Sequence, residues 1–196
     1  MLELTLKETL YSEYEKNKSL IKSGDILLCS GNALFSKLIK RVTKSKWSHV
    51  AFIIYVSEID RLMVLESVES IGVRTVTLSS YFNNYNGSGE PYDGELMISR
   101  HNKMEQCDIH NLSKRAVDLL GHQYDQKEIM RITAKIATSM FREPFCEVAV
   151  SDDAYICSEY VDECFRSVGI MVETECGYIV PDNFATDVNI NPVLVF

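Results

Sequence analysis

The stretch His49–Val68, HVAFIIYVSEIDRLMVLESV, decides the fold. Two runs rich in β-branched, aliphatic and aromatic residues, His49–Val56 and Leu62–Val68, flank a short polar turn at Glu58–Arg61. That pattern predicts an antiparallel hairpin. The first run is almost wholly apolar after His49, which predicts a central strand covered on both faces. A turn at Ser70–Gly72 and a third run, VRTVTL at Val73–Leu78, extend the hairpin into a meander. Upstream, DILLC at Asp25–Cys29 reads as a further buried strand, and Glu95–Ser99 as another after the loop-like NNYNGSGEPYDG at Asn83–Gly94.

Helical spacing brackets these strands. Leu2, Leu6, Leu10 and Tyr14 share one helix face, and Leu34, Phe35, Leu38, Ile39 and Val42 form a stripe on a second helix. Helices are also expected over Asp108–Gly121, near Lys127–Met140 and over Ser158–Val168, the last stopped by Gly169. An irregular connection is expected at Arg142–Tyr155. Helices, then strands, then helices predict a single α+β domain over residues 1–196, with residues 1–22 as an N-terminal helical extension.

Composition narrows the function. The chain has 196 residues, 46% hydrophobic and 24% charged, an ordinary globular mix. A net charge of −8 argues against non-specific nucleic-acid binding, which needs clustered Lys and Arg. The longest apolar run, Val50–Val56, falls far short of the ~20 residues of a membrane-spanning helix. The N-terminus is too acidic and interrupted for a signal peptide. The six cysteines, Cys29, Cys107, Cys146, Cys157, Cys164 and Cys176, form no CxxC pair and read as reduced thiols of a cytoplasmic protein. No Cys and His cluster has metal-ligand spacing, so neither a metal nor a cofactor is expected.

Three residues carry candidate chemistry. Cys157 stands at the first turn of the Ser158–Val168 helix, where free N–H groups and the helix dipole favour a thiolate nucleophile. His49 opens the central strand, a rigid and partly exposed position suited to a general base. Glu66 interrupts VLESV inside the neighbouring strand, and the hairpin brings it beside His49, where a carboxylate orients an imidazole. The bland alternatives are a small buried thiol, a strand-end histidine and a solvent-facing glutamate. Together the three residues describe a Cys-His-Glu triad of papain type, with His preceding Cys in the chain.

That order, with SGDILLCSG at Ser23–Gly31, SKLIKRVTKSKWSHVAFII at Ser36–Ile54, VLESV at Val64–Val68, LLGHQYD at Leu119–Asp125, YICSEYV at Tyr155–Val161 and PDNFA at Pro181–Ala185, resembles the permuted papain-like branch of the NlpC-type cysteine hydrolases, the YiiX/YaeF-like proteins. The resemblance implies a circularly permuted papain-like fold, a small antiparallel sheet packed with helices. It implies Cys157 as nucleophile, His49 as base and Glu66 as third member. Tyr124 matches the family's tyrosine after the Gly121 turn. Tyr124, Trp47 and Ser158 are candidate substrate-binding residues, with ordinary packing roles open for Trp47 and Tyr124.

The expected activity is cleavage of an amide bond in a peptide or peptidoglycan fragment. The alternatives are a thioesterase or acyltransferase on lipid-like substrates, and a non-catalytic binding module on the same fold. Lys37, Lys40, Arg41, Lys44 and Lys46 form a basic run without an acid, leading to His49. Such a run attracts anions or is simply a solvated helix face.

Overall fold

The structure is a computed structural model that describes residues 2–125, 154–174 and 178–196. The helix expected near Lys127–Met140 and most of the Arg142–Tyr155 connection lie outside the described residues, as do Cys146 and Cys176.

Among the described residues the strands are β1 (Ile26–Gly31), β2 (His49–Val56), β3 (Arg61–Val68), β4 (Gly72–Thr77), β5 (Gly94–His101) and β6 (Ile190–Val195). They form one antiparallel sheet in the order β4-β3-β2-β1-β5-β6. The helices are α1 (Leu2–Asn17), α2 (Leu34–Thr43), α3 (Ser80–Asn83), α4 (Ile109–Asp118), α5 (Cys157–Arg166) and α6 (Pro181–Thr186).

Alternation along the central strands sends side chains to two cores. On one face Ile26, Leu28, Val50, Phe52 and Leu65 pack with residues of α4, α5 and α6, including Leu112, Tyr160, Phe165 and Phe184. On the other, Leu27, Ala51, Ile53 and Val64 pack with Tyr14 of α1 and Phe82 of α3, whose rings stack 4.5 Å apart. Each fully buried aliphatic or aromatic side chain contributes roughly 1.5–3 kcal/mol. β2 is therefore buried from both sides over Val50–Ile53, as its apolar run predicts, while Tyr55 near its end is exposed.

Two elements depart from expectation. β6 contains Pro192, which argues against a strand, yet it pairs at the sheet edge beside an irregularity at Ile98/Ser99. The stripe on α2 is only half covered: Phe35 and Ile39 are half-buried, whereas Leu34 is 87% and Leu38 45% exposed.

The β3–β4 turn shapes the rest of the site. Gly72 has φ +89°, and a Cβ there would stand 2.1 Å from the His122 carbonyl oxygen. Only glycine allows that approach. It lets the Gly121–Gln123 segment dock on β4, with Val73 N–H donating to His122 O at 2.8 Å and Gly121 N–H to Val73 O at 3.0 Å. The segment after α4 is thereby held beside the sheet end where β2 begins.

Candidate active site

His49, the first residue of β2, lies directly across from Cys29 of β1. Its strand entry is pinned by Ser48, whose N–H donates to Cys29 O at 2.9 Å and whose hydroxyl accepts from Gly31 N–H at 3.1 Å. The side chain of Glu66, from β3, is fully buried on the same side of the sheet. His49 Nε2 meets Glu66 Oε2 at 2.7 Å.

Glu66 has two further partners. The Tyr81 hydroxyl donates to Oε2 at 2.6 Å, and Arg74 donates to Oε1 from Nε at 3.0 Å, its Nη2 lying 2.9 Å from the same oxygen in an ion pair. Burial opposes its charge, but the hydrogen bond and charge of His49, with Arg74 and Tyr81, hold its carboxyl below the usual range. Glu66 is thus an ionised acceptor in an apolar setting. Burial drives the Tyr81 hydroxyl well above its ordinary pKa, so it stays a neutral donor.

Cys157 is the first residue of α5 and 3% exposed. The chain before it is fastened to the sheet: Ser67 of β3 donates its hydroxyl to Tyr155 O at 2.6 Å, and Tyr155 N–H donates to Gln123 O at 3.0 Å. The Glu159 carboxylate turns back to accept from Ile156 N–H at 3.1 Å, a helix-capping contact. α5 is seated by the Tyr160 hydroxyl on Ala116 O at 2.8 Å. Cys157 lines the same cleft as His49, near enough for its thiol to act on the charge of the ring. Burial works against a charged ring, but Cys157 and then Glu66 push the His49 pKa up to about 10. The structure therefore brings Cys157 to the cleft that His49 lines, with Glu66 hydrogen-bonded to the His49 ring.

Glu66 is buried behind the His49 ring, and His49 and Cys157 line an open cleft of about 640 Å³. Its walls are largely apolar and aromatic, from Phe35, Ile39, Ile71, Tyr85, Tyr92 and Tyr124. The Tyr124 hydroxyl is raised in pKa by burial first and by Cys157 second, which keeps it protonated beside the thiol. Trp47 lies elsewhere. It packs in the core at 7% exposure and is absent from the cleft wall, because its position before β2 turns the indole under the sheet. Ser158 is also buried, its hydroxyl donating to Ile179 O at 2.7 Å, so its side chain is spent on the fold.

Arg74 and Tyr81 were not among the expected site residues. Arg74 had a readable signal: closing the β3–β4 hairpin at Val68 and Gly72 puts it directly opposite Glu66. Tyr81 had none, since it comes from a four-residue helix after β4.

Residues 20–128 match the family of permuted papain-like amidases described as YaeF/YiiX, C92. The chain belongs to the permuted papain-like amidase family. The matched stretch contains His49 and Glu66 and ends before Cys157. The crystal structure of the metalloprotein yiiX from Escherichia coli O157:H7 shares the fold, with a TM-score of 0.62 at 17% identity over 88% of this chain and 96% of that one. No curated protein matches the chain. Membership of the C92 amidases makes the chain a cysteine peptidase or amidase by family. Among the described residues no group of three or more His, Cys, Asp or Glu side chains is placed to hold a metal ion. Among them, too, no helix is long and apolar enough to cross a membrane.

Proposed function

We propose that this amidase-family chain cleaves an amide bond with Cys157 as nucleophile, His49 as acid and base, and Glu66 as the group that orients the ring. The observation that carries this reading is the His49 ring held by Glu66 at 2.7 Å in the cleft that Cys157 also lines. The Cys157 sulfur attacks the carbonyl carbon, and the backbone N–H of Cys157 at the start of α5 supports the oxyanion. The His49 imidazolium gives its proton to the departing amine, leaving an acyl group on sulfur. Neutral His49 then takes a proton from water, which attacks the thioester and releases the acid and the free thiol. The nature of the cleft supports a second reading at the same centre. Its walls of Phe35, Ile39 and Tyr124 suit an apolar acyl group, as in a thioesterase or acyltransferase on lipid-like substrates.

Cys29, Cys107, Cys157 and Cys164 are free thiols, which supports a reducing compartment such as the cytoplasm. The test is intact-protein mass spectrometry after mixing with an activated ester, beside turnover of matched anilide and thioester substrates. An acyl adduct on Cys157, lost with Cys157→Ala and not discharged in His49→Ala, is the expected result. Adducts on other cysteines, or unchanged turnover in His49→Ala, overturn the triad.

A further inference from the structure

We infer that α2 is a docking face for an anionic lipid bilayer. The inference is independent of the bond that Cys157 cleaves. An amphipathic helix of a globular protein normally turns its whole apolar stripe to the core. On α2 the fold covers only part of the stripe. Phe35 and Ile39 line the cleft, while Leu34 at 87% and Leu38 at 45% exposure stand in water, one helical turn apart.

Beside these leucines, at helical spacing, lie exposed Lys37 and Arg41, with exposed Lys44 capping the helix end. None of the three carries an ion pair among the described residues. The other two cations of the run are engaged, Lys40 on Ser30 Oγ at 3.3 Å and Lys46 with Glu95. A chain of net charge −8 thus gathers free cations against its uncovered leucines.

That pairing of exposed aliphatic side chains with a flanking basic row is the chemistry of a helix lying in the interface of an anionic membrane. A second copy of the chain suits the face poorly. A two-fold contact through α2 would set Lys37, Arg41 and Lys44 against their own copies, and like charges at an interface repel.

The experiment is co-sedimentation of the full chain with vesicles of phosphatidylcholine, with and without phosphatidylserine. Binding is expected only with phosphatidylserine. It should weaken as salt rises from about 0.1 M to about 1 M, where screening shortens from ~10 Å to ~3 Å. Each basic residue near an anionic surface strengthens binding about fivefold, so Lys37→Gln, Arg41→Gln and Lys44→Gln together should cost ~100-fold. Leu34→Ser with Leu38→Ser should cost more than about tenfold through lost apolar burial. Both variants should keep the wild-type circular dichroism, and the salt series on wild type needs no variant. Absence of binding to phosphatidylserine vesicles, equal binding to neutral vesicles, or retention by either variant overturns the proposal. So does a dimer by light scattering that the leucine variant dissolves, which would make α2 a contact between copies.

Discussion

The Tyr81 hydroxyl donates to Glu66 Oε2 at 2.6 Å, on the same oxygen that meets His49 Nε2 at 2.7 Å. One carboxylate oxygen therefore ties a buried tyrosine of α3 to the histidine that shares the cleft with Cys157. Tyr81→Phe keeps the ring volume and removes one hydrogen bond to a charged group. Such bonds contribute about 1.5–3 kcal/mol. For a chain of this size the thermal midpoint should fall by about 3–12 °C, read by circular dichroism. An unchanged midpoint would mean that the hydroxyl adds nothing to the hold on Glu66.

The four described cysteines should differ sharply towards a thiol-directed electrophile. Burial pushes Cys164 up to about 12 and Cys29 well above the ordinary thiol range, and raises Cys107. A thiol of pKa about 12 is ionised in only ~1 part in 100,000 at pH 7, and the thiolate is the reactive form. Cys157 lines the cleft together with His49. Peptide mapping after brief labelling at pH 7 should find Cys157 modified first, and Cys157→Ala should remove the fast phase. A fast phase that survives the substitution would end the reading of Cys157 as the nucleophile.

Much of this centre was legible because it depends on local periodicity. The two runs rich in β-branched and aromatic residues on either side of Glu58–Arg61 set the β2–β3 hairpin, and that hairpin brings Glu66 diagonally to His49. The helix start at Cys157 follows from the apolar stripe of α5. Features decided by tertiary packing were not legible. Trp47 sits two residues from His49 yet packs in the core, and Ser158 sits next to Cys157 yet bonds Ile179 O. Neighbourhood in sequence does not determine which way a side chain turns once strand and helix are docked. The half-covered stripe of α2 is the converse case, since periodicity marks an apolar face but not what covers it.

The pH dependence of stability should report the His49 proton. The folded protein holds it with a pKa of about 10, against an ordinary 6.5. Its stabilisation is complete below the ordinary value and is lost as pH rises from there through the folded one, because over that range the folded state holds a proton that the unfolded chain has released. Glu66 works in the opposite sense: its carboxyl is lowered, so its contribution is present above the ordinary 4.5 and lost as pH falls further. The stability gap between wild type and His49→Ala should therefore be widest between about pH 4.5 and 6.5 and close towards about pH 10. Urea unfolding across this range measures it, and a gap constant with pH would show that the ring titrates alike in both states.

Glu66→Gln separates orientation from charge. The amide can still hydrogen-bond the ring, so substantial turnover should remain. A neutral partner no longer stabilises the imidazolium, so the His49 pKa should fall. If the active form pairs thiolate with imidazolium, the alkaline limb of the kcat/KM profile moves to lower pH while the acid limb stays. An activated ester supplies the signal. Two unmoved limbs would place the third member of the site at another residue.

Arg74 should couple to Glu66 in energy as it does in space. It grips Oε1 with Nε at 3.0 Å and Nη2 at 2.9 Å, while Nη2 donates to Asn86 Oδ1 at 2.9 Å. Arg74→Leu leaves a buried carboxylate without its cation, and breaking such a pair costs about 3–5 kcal/mol. The same substitution made in Glu66→Gln removes the guanidinium from a neutral amide and should cost much less. A double-mutant cycle on unfolding free energies therefore predicts a coupling of about 1–3 kcal/mol. The pH profile adds a readout that packing alone would not move. Glu66 loses a cation that helps keep it ionised, so the acid side of the stability curve should retreat to higher pH in Arg74→Leu and not in the double variant. Additive losses with an unmoved acid limb would reduce Arg74 to a surface contact of β4.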